Sequence, residues 1–258
     1  MFDRKEKMKK TVIVLLLLSL VFCASCANEE TPAAKGDDLL STEGYSIDSF
    51  DLDDGNTVEN CYNEDGKLEK VFYRKPDGSV ESFEIYELNE SGKTDSVTVY
   101  NADKTVNYYS RMTYDQNGNQ TECATYYADG SVKSIVRNEF DGNSNCVKTS
   151  NFDSSEGLVG YETYEYDESN RQTHIFAYGP DDSLIRSFEY AYDGSGNLIQ
   201  MKSRDKDENV VESYTYEFNE KNQRVKTSHF DSNGYLIEYT LTEYDDSGNI
   251  VSNETVKA

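Results

Sequence analysis

Tyr192 to Glu217 reads YDGSGNLIQMKSRDKDENVVESYTYE. An aromatic residue opens this stretch, Asp193 follows, and Gly196 holds the fifth position. A second polar turn, RDKDEN, begins halfway along, and the aliphatic Val210 comes directly after it. The same 26-residue frame recurs seven more times without a gap. Its opening position is Tyr62, Leu88, Tyr114, Phe140, Tyr166, Tyr192, Phe218 and Tyr244. The next position is always Asp or Asn: Asn63, Asn89, Asp115, Asp141, Asp167, Asp193, Asn219 and Asp245. The fifth is Gly66, Gly92, Gly118, Ser144, Asn170, Gly196, Asn222 and Gly248. The residue after the second turn is aliphatic each time, as at Val80, Val106, Val132, Leu158, Leu184, Val210 and Leu236.

This pattern has a local physical reading. Asp or Asn bonds its own backbone two residues on, and Gly or Asn takes the left-handed position that closes the turn. The pairs Asp115 and Gly118, Asp167 and Asn170, Asp193 and Gly196, and Asp245 and Gly248 are such repeat turns. Two turns per unit leave room for two strands, and the segments between them are rich in Tyr, Val, Ile, Thr and Phe. Each unit therefore reads as a β-hairpin. The expected fold is all-β: an antiparallel meander of about eight 26-residue hairpin repeats, about sixteen strands, in one curled and twisted sheet. The alternative is a parallel β-solenoid with one coil per unit, which hairpin turns at both ends of the unit disfavour.

The N-terminus has a different character. MFDRKEKMKK is basic on balance, and Val12 to Cys23 is apolar except for Ser19. Twelve residues are too few to span a bilayer, so residues 1–25 read as a secretory signal peptide starting at Met1 or Met8. Cys23-Ala24-Ser25-Cys26 resembles the lipobox of bacterial lipoproteins. That resemblance implies cleavage between Ser25 and Cys26, lipid on the Cys26 thiol, and an extracytoplasmic protein held at the cell membrane. Two or more acyl chains suffice for stable anchoring. Residues 26–44 then read as the lipidated cysteine with a flexible tether, and 45–258 as the repeat domain, its first and last copies atypical.

The chain is acidic, with a net charge of −24, and has 36% hydrophobic residues, 21 tyrosines and no tryptophan. Such a charge repels nucleic acid and anionic headgroups, so nucleic-acid partners are excluded. Tyrosine suits a half-covered sheet, because its ring packs while its hydroxyl reaches water.

YEYDESNR from Tyr164, YAYDGSGNL from Tyr190 and LTEYDDSGNI from Leu241 resemble the YD repeats of Rhs proteins and related wall-associated proteins. The unit here is longer than the usual YD repeat. The resemblance implies a curled sheet of β-hairpins and a surface that contacts ligands or other cells. The family's toxin role is not carried over, since the repeats are the last segment of the sequence.

Candidate chemistry is sparse. His174 and His229 lie in different units and different columns, and read as exposed strand residues. Cys61, Cys123 and Cys146 also fall in different columns, with one disulfide or none. The turns Asp115 to Asn119 and Asp141 to Asn145 copy the start of a calcium loop but lack its downstream Glu. No metal and no cofactor are expected. Tyr164, Tyr166, Tyr190, Tyr192 and Tyr216 could stack against a glycan or form a cross-strand ladder. The expected function is a lipid-anchored, non-catalytic binding or adhesion module for a glycan, cell-wall or protein ligand. The alternatives are a structural spacer or remnant of a larger Rhs-type surface protein, and a carbohydrate-active hydrolase.

Overall fold

The computed structural model describes residues 39–258. The signal peptide, the cleavage site at Ser25 and the lipid site at Cys26 lie outside the described residues. Seventeen strands, from β1 (Ser46–Asp51) to β17 (Ile250–Lys257), form one sheet. Chain neighbours pair antiparallel from β1 to β7 (Gln120–Tyr127), and again from β9 (Cys146–Phe152) to β17. The fold is the expected meander, and the parallel solenoid is excluded.

Every connection carries one residue in the left-handed region. In the repeat turns these include Gly118 (φ 83°), Ser144 (φ 66°), Asn170 (φ 58°), Gly196 (φ 88°) and Gly248 (φ 86°). Asp115 shows the wiring. Its amide donates to the Asn119 carbonyl at 2.9 Å, and the Gly118 amide donates back to the Asp115 carbonyl at 3.0 Å. This is a three-residue loop built on a type I turn and closed by a left-handed residue. The second turns use the same wiring, three of them with Gly78, Gly130 and Gly234 and the others with less suitable residues: Lys104 (φ 67°), Glu156 (φ 60°), Asp182 (φ 62°) and Glu208 (φ 63°).

A left-handed residue other than Gly or Asn costs about 1–2 kcal/mol, partly offset by the entropy that Gly loses on folding. Glu208→Gly is therefore expected to stabilise the chain by up to about 1 kcal/mol. Gly234 (φ 80°) has nothing within 4 Å of a would-be Cβ, so Gly234→Ala should cost a similar amount through the backbone alone. The urea midpoints of the two variants should move in opposite directions. Shifts of the same sign would remove backbone strain as the cause.

From β2 (Thr57–Tyr62) to β7, and again from β9 to β17, the hairpins also contain a β-bulge just inside the turn. Between β2 and β3 (Leu68–Arg74), Tyr62 pairs with Leu68 but Cys61 pairs with Lys70, so Glu69 is the extra residue. The shift repeats at the second turns, where Arg74 pairs with Val80 and Tyr73 with Ser82. Bulges raise the local twist and place one side chain per hairpin outside the regular alternation.

The chain divides into two compact units: residues up to Val136 with Asp153–Glu156, and Arg137–Phe152 with Gly157–Ala258. The first unit is not half-covered. In β5 (Thr94–Asn101) five consecutive residues, Ser96 to Tyr100, are buried. Alternate residues point to opposite faces, so both faces of the sheet are covered there. On one face, Cys61, Phe72, Phe83 and Tyr100 form a core, with Leu39, Leu40 and Tyr45 packed against it. Leu39 and Leu40 belong to the stretch that the sequence assigns to the tether. In the second unit β10 (Leu158–Tyr166) and β14 (Val210–Phe218) contain no buried residue. That unit resembles the thin tyrosine-rich sheet that the composition suggests.

Candidate functional site

The repeat-turn aspartates are occupied by their own loops. Asp193 Oδ1 accepts the amides of Ser195 and Asn197 at 2.8 and 2.9 Å, and its Oδ2 accepts Asn197 Nδ2 at 2.9 Å. Asp115, Asp141 and Asp245 bind Asn119, Asn145 and Asn249 in the same way. Asp167 instead takes Arg171 Nε at 2.7 Å. The fifth residue after each opening position thus completes its own turn. It also reaches the next one: Asn145 and Asn197 Nδ2 donate to Asn170 and Asn222, Arg171 donates to the Asp193 carbonyl, and Lys93 donates to the Gly118 carbonyl. The turns form a ladder of side chains from unit to unit.

These bonds hold the carboxyls of Asp115, Asp141, Asp193 and Asp245 below the usual range, chiefly through the asparagine side-chain donor and then its backbone amide. A carboxyl that titrates lower when folded gives its full stabilisation above about pH 4, its unfolded value. That contribution is lost as pH falls through the folded values. Repulsion from the net charge works the other way, because it fades as pH approaches the pI of about 4.4. The urea midpoint should therefore rise from pH 7 toward 4.4 and drop below it. A midpoint still climbing at pH 2.5 would show that the turn bonds contribute nothing measurable.

The tyrosines proposed for glycan stacking fall into two sets. Tyr166 and Tyr192 sit at opening positions, and their hydroxyls donate to the carbonyls of Cys146 (2.7 Å) and Gln172 (2.9 Å). Tyr114 and Tyr244 do the same to Thr94 (2.6 Å) and Arg224 (3.1 Å). Every acceptor lies 20 residues upstream, in the preceding unit, so the opening tyrosine staples consecutive repeats. Arg171 also stands 4.8 Å over the Tyr192 ring.

Tyr164, Tyr190 and Tyr216 form the second set, on the opposite side of their strands from Glu165, Glu189 and Glu217. They are half-buried, and burial is the main cause that raises each hydroxyl above its ordinary pKa. Tyr164 donates to Glu162 at 3.0 Å. The motif recurs at Glu84, which accepts from Tyr86 at 2.6 Å and Tyr73 at 3.2 Å, and at Glu212, which accepts from Tyr214 at 3.2 Å. Burial, then the Glu84 charge, pushes Tyr73 up to about 12, and Glu212 acts likewise on Tyr214. Such phenols stay protonated at neutral pH and act as donors, not as nucleophiles or bases. Sequence reasoning missed these carboxylates. The signal was present: in Glu84-x-Tyr86, Glu162-x-Tyr164 and Glu212-x-Tyr214 the two residues share a face of one strand.

The histidines are half-buried rather than exposed. His229 stacks on Tyr214 (centroids 4.3 Å apart, 6° between planes), and its Nε2 lies 3.0 Å from Glu212. His174 Nδ1 lies 3.2 Å from Glu165 across the strands, and Phe176 stacks beside it. Other cross-strand pairs join Glu59 to Arg74 (2.7 Å), Glu217 to Lys226 (2.7 Å), and Glu189 to Arg204 and Lys202 (2.8 and 3.2 Å). Cys61, Cys123 and Cys146 are thiols, and burial raises the pKa of Cys61 and Cys146. Among the described residues no group of three or more His, Cys, Asp or Glu could hold a metal ion.

No protein-family description and no curated protein matches the chain. Among solved structures it is similar to TcdB2–TccC3, at 14% identity over 81% of this chain and 15% of that one, with a TM-score of 0.39. It is also similar to a porin-like protein from Bacteroides uniformis, at 10% identity over 78% of this chain and 88% of that one, with a TM-score of 0.40. A third likeness, to the Photorhabdus luminescens Tc holotoxin pore, has 12% identity, covers 80% and 15% of the two chains, and has a TM-score of 0.22. The chain thus spans about 15% of the TcdB2–TccC3 chain that it matches. At these scores the likenesses are distant and bear on no function.

Proposed function

We propose that this protein is a non-catalytic structural repeat module, a spacer displayed outside a bacterial cell and held at the membrane by lipid on Cys26. One observation carries the reading: the side chains that define the repeat are spent on the repeat itself. Tyr114, Tyr166, Tyr192 and Tyr244 bond the preceding repeat, and the turn aspartates bond their own loops. Glu84, Glu162 and Glu189 are likewise engaged, by phenols or cations. A chain whose recurring residues hold its own form suits a spacer.

Anchoring is tested by growing cells with a palmitate analogue and comparing the native chain with Cys26→Ala. Label and membrane fractionation should both disappear in the variant. Unchanged labelling would refute the anchor. A binding or adhesion role is the second reading, and a specific feature favours it: the second unit exposes aliphatic side chains at the repeat period.

A further inference from the structure

The exposed aliphatic residues are not scattered. Val159, Ile185, Val211 and Ile237 are 55%, 54%, 49% and 41% exposed, and each follows the last by one repeat. All four occupy the same place, the extra residue of the second-turn bulge. On β12 (Leu184–Tyr192), for example, Leu184 pairs with Tyr178 and Arg186 with Ala177, which leaves Ile185 outside the ladder. Val159 on β10, Val211 on β14 and Ile237 on β16 (Leu236–Tyr244) are left out in the same way. The bulge thus turns one aliphatic side chain per repeat toward solvent. In the first unit this position is Glu81 and Asn107, both exposed and polar. The aliphatic choice therefore belongs to the second unit and not to the repeat as such.

Equivalent strands stand two strand spacings apart, so the four side chains recur about every 9.6 Å along a row of about 29 Å. Seven residues of α-helix rise about 10.5 Å, and about 20 residues cover the row. Tyr235, 72% exposed, lies in the turn two residues before Ile237 and offers an aromatic anchor at one end. The turns along the row are acidic: Asp181 and Asp182 precede β12, Asp205, Asp207 and Glu208 precede β14, and Asp231 precedes β16. The one lysine there, Lys206, is paired with Asp207 at 2.8 Å. A second copy of this chain, or an anionic lipid surface, would set negative charge against negative charge.

We infer that the row Val159, Ile185, Val211 and Ile237 is a docking surface for a basic amphipathic helix of a partner protein, apolar at heptad spacing and flanked by Lys or Arg. The apolar seam of the helix lies along the row, and its basic flanks meet the acidic turns. The partner approaches across the strands.

The test uses the purified full chain and a labelled synthetic helical peptide of 21 residues, with leucine at heptad a and d positions and lysine beside them. Fluorescence anisotropy is read at low and high salt. The native chain should bind, more weakly at high salt. Ile185→Ser/Val211→Ser should bind at least tenfold more weakly, while Asn107→Ser binds as the native chain does. A peptide with glutamate for lysine should lose at least tenfold. Equal affinity for the double variant, equal affinity for the glutamate peptide, or no binding by the native chain overturns the proposal. If the double variant fails to fold, Val211→Thr, close to isosteric, should still weaken binding about threefold. Self-association or binding to zwitterionic vesicles that is lost in these variants, without peptide binding, overturns it as well.

Discussion

Phe83→Ala is expected to destabilise the protein by about 3–5 kcal/mol. Phe83 is fully buried, with its ring 4.8 Å from Tyr100 at 7° and 5.8 Å from Phe72 at 29°. The three rings are direct cross-strand partners, on β3, β4 (Val80–Leu88) and β5. Cys61 belongs to the same cluster, and Leu39, Leu40, Tyr45, Val80, Ile85 and Val106 pack against it. Removing the middle ring breaks two aromatic contacts and leaves a cavity that the pleated backbone cannot close. Phe83→Leu keeps most of the volume and should cost about 1–2 kcal/mol. Urea unfolding followed by tyrosine fluorescence measures both. A loss below about 1 kcal/mol for the alanine variant would mean that the segment at Leu39 and Leu40 does not cover the sheet in solution.

The second large effect is expected from the staples. Tyr114→Phe, Tyr166→Phe, Tyr192→Phe and Tyr244→Phe each remove one hydroxyl, keep the ring, and leave a backbone carbonyl without its donor. Each should cost about 0.5–1.5 kcal/mol, and the quadruple variant about 2–6 kcal/mol. The four sites are separate links between successive repeats, so their effects should add as in a nearest-neighbour chain. Leu88, Phe140 and Phe218 occupy the same position without a hydroxyl. Restoring it with Phe140→Tyr or Phe218→Tyr should therefore stabilise where the carbonyl is within reach. A quadruple variant as stable as the native chain would show that water replaces the hydroxyls at no cost, and that the tyrosine column recurs along the chain for its ring alone.

Local chemistry is the part of this protein that its sequence states openly. An Asp with an Asn four residues on and a Gly between them at position 118, 196 or 248 describes a closed loop within five residues. Nothing distant is needed to form it. Two such loops per period make hairpins, and hairpins in series make an antiparallel meander. Three second turns are harder to read, because Lys104, Glu156 and Glu208 carry no mark of the left-handed backbone that they adopt. They are nevertheless closed by the same local bonds, as from the Lys104 amide to the Asn101 carbonyl at 2.9 Å. The candidate site is legible only in part. Tyr166 and Tyr192 stand out as a column, but their role depends on a carbonyl 20 residues away. His229 is solitary in the sequence, and only the strand register brings Glu212 and Tyr214 beside it.

The sequence by itself determined where the chain turns, how many times, and hence that its strands alternate in direction, because each turn is closed by bonds within its own few residues. The tertiary structure decided which face is covered and which side chains are left over. Burial of Phe72 and Phe83 depends on Leu39 and Leu40 folding back over the sheet. The outward row at Val159, Ile185, Val211 and Ile237 exists because each bulge adds one residue to its strand. Coverage and register are sums over neighbouring strands, and a single repeat does not contain them.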